Sequence, residues 1–319
     1  MDYLTERWFR ILRCERCGLH RTALPPGQDL SEHYGPSYYG EEGRRFGAAV
    51  EKVIAGFRRV RAYGVSRRAE GRGRILDIGC GRGLMLAALE ARGWSGVGTE
   101  ASQALAEAVQ KNRGVRVLTV TGPPLPLETA SVDVVTSWHS LEHLEHPVSM
   151  LAEIHRILKP DGLLILEVPN AESVQARWGR GLWFHLDAPR HRYHFGRTEL
   201  RGLLVRQGFG VIAEGTFSLE YGPFGMIQTL LNRMTSRPNV LFQMLKRRPA
   251  SGRTAAWWRD AAVTVALALP VGVVGTAAEL AAAAAGRGGV ARWVARKTGT
   301  PATPPGQPPE YVTSTGEGR

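Results

Sequence analysis

Through the middle of the chain, short apolar runs alternate with stretches whose apolar residues recur at helical spacing. From Arg74 to about Glu214 the runs RILDIG, GVGTE, VRVLTV, VDVVTSW and LLILEVP are interleaved with LMLAALEARG, ALAEAVQKN and VSMLAEIHRIL. Such alternation of periods predicts βαβ units, hence a parallel sheet with helices on both faces. Upstream, Phe46, Val50, Val53, Ile54, Phe57 and Val60 recur at intervals of three and four, which predicts an amphipathic helix within 41–70 that packs on the next domain. The first 40 residues lack aliphatic periodicity and hold Pro25-Pro26-Gly27, Tyr34, Tyr38 and Tyr39, so they read as an irregular arm or lid. Beyond Gly215, FGMIQTLLNRM and VLFQMLKRR read as helices, and Ala261 to Ala278 then runs without a charge. The tail from Thr300 is rich in Pro, Gly and Thr and reads as disordered. The expected organisation is an arm at 1–40, a helix at 41–70, an α/β domain at 71–215, a helical extension with an apolar hairpin at 216–299, and a tail at 300–319.

Composition narrows the function classes. With 319 residues and 43% hydrophobic content the chain buries at least one full-sized core, which excludes disorder throughout. Three cysteines cannot build a disulfide framework, and the opening MDYLTERWFRILRCERC lacks the apolar stretch of a secretory signal, so a reduced, cytoplasmic setting is expected. A formal net charge of +12 favours nucleic acid, anionic lipid or an acidic substrate without choosing among them.

Chemistry enters at Ile75-Leu76-Asp77-Ile78-Gly79-Cys80-Gly81-Arg82-Gly83, a buried strand that ends in a glycine turn and runs into a helix. Glycines there let the backbone approach a ligand, and the helix N-terminus can meet its polar groups. A dinucleotide fingerprint would place its third glycine at position 84, which is Leu, so NAD is disfavoured. The next strand ends at Glu100, where a carboxylate can accept hydrogen bonds from both hydroxyls of a ribose.

These residues resemble the class I S-adenosylmethionine-dependent methyltransferases, whose first motif is an acidic residue followed by G-x-G-x-G and whose second is an acidic residue ending strand two. The resemblance extends through Leu125-Pro126-Leu127, Ser131-Val132-Asp133-Val134-Val135, Leu141-Glu142-His143-Leu144 and Leu158-Lys159-Pro160-Asp161-Gly162, about 140 residues in the family's order. It implies a Rossmann-like seven-stranded fold, S-adenosylmethionine as cofactor, and 71–215 as the domain that binds it. By the family's roles, Asp77, Gly79, Cys80, Gly81 and Gly83 would hold the methionine moiety, with Cys80 a small packing residue rather than a nucleophile. Glu100 would hold the ribose and Leu125 would sit against the adenine, while Trp138 and His139 would face the sulfonium. Many relatives carry an Asp after the Gly that follows strand three; here Gly122 is followed by Pro123 and Pro124, which leaves adenine recognition looser or to the backbone.

The acceptor is read from the segment after strand four. The [ND]-P-P-[YF] sequence of amino-methylating enzymes is replaced by Ser137-Trp138-His139-Ser140-Leu141-Glu142-His143, so base methylation and a specific nucleic-acid partner are not expected. This segment resembles the quinone-biosynthesis O-methyltransferases of the type 11/23 group, whose E-x-x-E-H can hold a divalent ion. Here it is His139-x-x-Glu142-His143, and no metal is expected. His139 or His143 could be the general base, with a structural cap as the other reading of His143. A second segment, Trp183 to Phe195 followed by Thr198-Glu199-Leu200 and Gly208-Phe209, resembles the loop that closes over the acceptor in small-molecule enzymes. Its His191 is either a base or acceptor-orienting group, or part of a surface loop that packs aromatics.

Two segments remain. Cys14-x-x-Cys17-Gly18 resembles one knuckle of a zinc ribbon, and with only His20 and His33 nearby it reads as a degenerate, metal-free remnant. Ala261–Ala278 would reach about 27 Å as a helix, the lower limit for a membrane span. Lys246, Arg247, Arg248, Arg253 and Arg259 precede it, and Arg287, Arg292, Arg296 and Lys297 come after it. A hairpin bent near Pro270-Val271-Gly272 would leave both basic clusters on the cytoplasmic face, with Trp257, Trp258 and Trp293 at the interface. The other reading is an apolar helix pair that covers the pocket or a dimer partner. The sequence thus points to a methyltransferase of a small-molecule or lipid-linked acceptor, oxygen being the favoured target, with membrane contact through 255–297. The competing readings are a catalytically silent membrane-associated binding protein and an RNA or protein methyltransferase.

Overall fold

The computed structural model describes residues 2, 5, 7–25, 28–34, 46–69, 72–246 and 254–301. The expected tail from 302 onward, Tyr38 and Tyr39 of the arm, and Arg247, Arg248 and Arg253 lie outside the described residues. The α/β reading holds. Strands β3 (Arg74–Ile78), β4 (Ser95–Glu100), β5 (Arg116–Thr119), β6 (Val132–Trp138), β7 (Leu158–Pro169), β9 (Phe209–Gly215) and β10 (Val290–Lys297) form one sheet in the order β5-β4-β3-β6-β7-β10-β9. The first five pair in parallel, and β10 enters antiparallel between β7 and β9.

Helices cover both faces because the strands are apolar on both. Along β3, Leu76 and Ile78 join the core that α4 (Pro147–Ile157) and α6 (Arg197–Arg206) close. Ile75, between them and the strand's start, joins the core under α2 (Leu84–Glu90) and α3 (Gln103–Arg113). On β10, Trp293 belongs to the first core and Val294 to the second. Trp293 is therefore an interior residue, not an interfacial anchor, and Trp257 is buried too; of the three tryptophans only Trp258 is exposed.

Three boundaries move. The seventh strand lies in 290–297, so the segment after Gly215 is an insertion between β9 and β10 rather than an extension beyond the sheet. Inside it, α7 (Gly222–Asn232), α8 (Val240–Leu245) and α9 (Ala255–Ala284) pack together and against the short α5 (Val174–Gly179). Helix α9 is one continuous helix of 30 residues with Pro270 inside it, not a hairpin. The helix upstream of the sheet, α1, spans Ala48–Arg68; Ala62 and Val65 are buried, Val50, Ile54 and Phe57 half-buried, and Val53 and Val60 exposed, so the apolar spacing marks the packed face only in part.

The arm is not irregular. Strands β1 (Ile11–Arg13) and β2 (His20–Thr22) form a hairpin, and β2 pairs with β8 (Tyr193–His194), His20 opposite His194. Three-residue strands are too short to show a period of two, which is why the sequence hides them. The Cys14–Cys17 turn closes this hairpin, and among the described residues no third metal-ligand side chain groups with it; His33 Nδ1 instead lies 2.9 Å from Asp2.

Candidate functional site

The site opens at the carboxyl ends of β3, β4 and β6, where the sheet order reverses direction around β3. At the end of β3 the chain turns through Gly79 (φ +66°), Gly81 (φ +53°) and Gly83 (φ +67°). A Cβ at Gly79 would stand 2.3 Å from Ser140 Oγ and one at Gly83 2.6 Å from Val109 Cγ1, whereas one at Gly81 would meet nothing within 4 Å. Gly79 and Gly83 thus serve the close packing of turn, strand and helix. Gly81 borders the space a ligand would enter.

That space is a cavity of about 130 Å³ lined by Arg58, Arg61, Asp77, Gly79, Cys80, Gly81, Arg82, Leu84, Met85 and Trp138. Asp77 is buried and accepts a hydrogen bond from Thr136 Oγ1 at 2.7 Å; desolvation raises its pKa to about 6. Glu100 sits behind the turn, where its carboxylate accepts from the backbone N–H groups of Gly81, Ala101 and Ser102; burial raises its pKa against those bonds. The Cys80 thiol is driven upward by burial and by Asp77 and Glu100, and its sulfur fills the space beside Gly98, as a packing residue would. Leu125 departs from its expected place: it is buried in the core with its N–H held by Glu153 Oε1, not on the cavity wall.

Arg58 and Arg61, which no sequence motif marks, come from α1. The Arg61 guanidinium lies 4.6 Å over the Trp138 ring and contacts Glu167 and Glu220; Arg58 pairs with Glu220 and donates to Tyr221 Oη. Their spacing places both on one face of the helix, but only the fold shows that this face meets the glycine turn. Glu220 and Tyr221 belong to the insertion, so the insertion forms part of the site.

The groups present suit the methionine end of S-adenosylmethionine. Guanidiniums of Arg58 and Arg61 can face a carboxylate and Asp77 an ammonium. Trp138 stands on the cavity wall.

The three expected histidines separate into different roles. His139 (φ +50°) is held between Glu142 (Nδ1 to Oε1, 3.5 Å) and Glu167 (Nε2 to Oε1, 3.1 Å), under the ring of Tyr221. Burial opposes its charge, but the two carboxylates prevail and raise its pKa to about 10. Both of its ring nitrogens face carboxylates, which favours the charged form over one that accepts a proton. Glu167, with Arg61, Arg292 and His139 around it, is held far below the usual carboxylate range despite burial.

His143 and His191 do meet: their rings lie 4.6 Å apart, edge to face, and each offers a nitrogen within 4.8 Å of the other's and of a Glu142 oxygen. The Nδ1 of His143 is 3.0 Å from the Arg190 carbonyl and 3.1 Å from Tyr34 Oη. The Nδ1 of His191 bonds the His185 carbonyl at 2.8 Å, while its Nε2 faces Glu142 at 3.9 Å and Asp187 at 4.0 Å. Burial, then the neighbouring His143, lowers the His191 pKa to about 4. Glu142 is buried with neither oxygen hydrogen-bonded, and it is held below its usual pKa by the histidines against its desolvation. A divalent ion would find its donors in Glu142, His143 and His191, with His191 in the place that the spacing of His139-x-x-Glu142-His143 suggests for His139.

The arm fixes this cluster. Thr22 Oγ1 donates to the His191 carbonyl at 2.6 Å and lies 3.0 Å from His194 Nε2, and Arg192 N–H donates to the Glu142 carbonyl. Beneath it, Arg190 is wholly buried between Asp187 and Asp2.

A family model described as a methyltransferase domain matches residues 50–214, just over half of the chain. The ubiquinone biosynthesis O-methyltransferase of Pseudomonas aeruginosa is 37% identical over 103 residues, covering 30% of this chain and 44% of that protein. A probable S-adenosylmethionine-dependent methyltransferase of Mycobacterium tuberculosis is 32% identical over 151 residues, covering 47% of this chain and 52% of its own length. The chain thus spans about half the length of these curated relatives. Among solved structures, a methyltransferase from Thermotoga maritima described as a possible histamine N-methyltransferase is 28% identical with a TM-score of 0.42, covering 51% of this chain and 75% of that one.

Proposed function

The chain belongs to the methyltransferase-domain family, and from that premise we propose that it transfers a methyl group from S-adenosylmethionine to a small-molecule or lipid-linked acceptor, with a hydroxyl oxygen as the target. The observation that carries the reading is the glycine turn. Of its three left-handed glycines only Gly81 has open space where a side chain would stand, and it lines a cavity with Asp77, Arg58 and Arg61 while its N–H is held by Glu100. When bound, the cofactor supplies an already activated methyl group, so the protein's task is alignment, exclusion of water and removal of one proton.

His191 is the residue we assign to the proton. It is neutral at pH 7, its Nδ1 is engaged with the His185 carbonyl, and its Nε2 is left to accept from an acceptor hydroxyl. Glu142 and Asp187, both within 4.0 Å of Nε2, would stabilise the imidazolium that results. His143 and Tyr34 border the same cluster and would orient the acceptor. The ubiquinone O-methyltransferase relative supports oxygen as the target, over the one segment that aligns.

The test is calorimetric titration of S-adenosylmethionine, followed by incubation with labelled cofactor and a membrane-lipid extract. Binding in the micromolar range with label in the organic phase is expected. No binding would return the chain to the silent binding-protein reading, and label in copurifying RNA would favour the nucleic-acid reading.

A further inference from the structure

Helix α9 is apolar on both faces, with Trp257, Ala261 and Val271 buried on the inner one. Its three charged residues are Arg259, Asp260 and Glu279, and both acids point inward. Asp260 accepts from Ser236 Oγ and Arg237 N–H, and Glu279 accepts from Gln175 Nε2 and Gly289 N–H. The opposite face carries Trp258, Val265, Leu269, Val273, Val274 and Leu280, each more than half exposed and Leu269 78% exposed, with alanines and Pro270 between them. A helix on a water-soluble surface shows the reverse pattern, so a second apolar medium is required on this side.

A transverse span does not fit. The helix is about 45 Å long by its rise per residue, and it is packed along its length: Gly275 lies against Ile227, and the inward acids tie both ends to the same body. The insertion that contains it begins after β9 and ends at β10 of one sheet. Only the outer face is available, so contact must be in the plane of a surface.

Charge selects the occupant. Arg259 is exposed at the first turn and Arg287 just past the last. At that second end Arg177, Arg197 and Arg287 line an open groove of about 490 Å³ with Asn170 and Glu172. Arg197 donates to the Gly286 carbonyl and pairs with Glu214, while the exposed guanidiniums of Arg177 and Arg287 have no hydrogen-bond or ion-pair partner among the described residues. A second copy of this chain related by a two-fold axis would set arginine ends against arginine ends. An anionic bilayer offers apolar depth to the outer face and phosphates to both ends.

We infer that α9 is a monotopic membrane-docking helix that lies in the plane of an anionic phospholipid surface, with the Arg177–Arg197–Arg287 groove seating a lipid phosphate. This deepens the proposed function by making the acceptor one that is reached from the membrane, and it rests on that reading only for its purpose. The test is flotation of the full chain with vesicles of phosphatidylcholine alone or with phosphatidylglycerol, at low and high salt, beside calorimetric cofactor binding. Docking requires flotation with the phosphatidylglycerol vesicles that high salt weakens, a loss of at least tenfold in L269E/V273E, and a smaller loss in R177A/R287A. Cofactor binding must stay unchanged in both variants, which also shows that they fold. Equal flotation with both vesicle types would overturn the anionic preference, and undiminished flotation of R177A/R287A would overturn the phosphate seat. A protein that stays in solution with every vesicle, or forms a dimer that L269E/V273E dissociates, would overturn the docking itself. Failure of cofactor binding in the parent protein would remove the proposed function while leaving the flotation result to stand.

Discussion

The two glycines at 79 and 81 share a left-handed backbone and differ only in what surrounds them, so alanine at each separates packing from ligand binding. Adopting φ near +60° costs a non-glycine residue about 1–2 kcal/mol. At position 81 that is the whole cost to stability, because the added methyl meets nothing within 4 Å. At position 79 the methyl would overlap the Ser140 side chain at 2.3 Å, and overpacking adds about 1–3 kcal/mol. Gly114, at φ +72° with nothing within 4 Å and not on the cavity wall, measures the backbone cost alone. Denaturant unfolding should therefore rank Gly79→Ala well below Gly81→Ala, with Gly81→Ala equal to Gly114→Ala. Calorimetry should separate the latter pair: S-adenosylmethionine affinity falls at least tenfold, about 1.4 kcal/mol, in Gly81→Ala and is unchanged in Gly114→Ala. A Gly81→Ala protein that binds the cofactor like the parent would refute the assignment of the cavity.

Other outcomes rest on the same geometry. Replacing His191 by Gln should lower the rate of methyl transfer by about 10²–10⁴-fold with cofactor affinity unchanged, read by single-turnover labelling. Arg190→Ala leaves the Asp187 and Asp2 carboxylates buried without their cation, at a cost of about 3–5 kcal/mol in urea unfolding; an unchanged midpoint would contradict the burial. Burial lowers His185, His191 and His194 to about 3, 4 and 3, so the unfolded chain gains protons first as pH falls below about 6.5. Stability that is complete above that value is lost toward pH 4. Proton uptake by folded Asp77 near pH 6 and the existing charge on His139 offset part of it, leaving a loss of roughly 3 kcal/mol between pH 7 and pH 5. Constant stability across that interval would mean that these histidines are charged in the folded protein.

What the sequence discloses is local. Asp77, the glycine turn and Glu100 lie within one βαβ unit, where strand period and turn chemistry set their relation, and they fall where the spacing puts them. The partners that complete the site come from far away: Arg58 and Arg61 from α1, Tyr221 from the insertion, Thr22 from the arm. No periodicity connects residues so distant, and the apolar spacing of α1, which includes the exposed Val53 and Val60, does not single out its two arginines. His139 misleads for a related reason. Its charge depends on Glu142 nearby and also on Glu167, 28 residues on along the chain and brought beside it only by the parallel pairing of β6 with β7. The seventh strand escapes a pattern search because VARWVARK, with Arg292 and Arg296 four apart, shows neither a continuous apolar run nor a clean alternation. Its basic side chains find Glu167 and the Leu158 carbonyl at the sheet's edges while Trp293 fills the interior.

The place of β10 also dictates an order of events during synthesis. It fills an interior position between β7 and β9, so β9 has no partner strand in the sheet until residues 290–297 have left the ribosome. The long loop that must close costs only slowly growing entropy, but it contains α9, whose apolar face emerges while the host sheet is still open. A nascent chain in that state exposes a strand edge and an apolar helix together. Aggregation and membrane capture then compete with closure of the sheet, and the yield of folded protein becomes a kinetic question decided by the last strand.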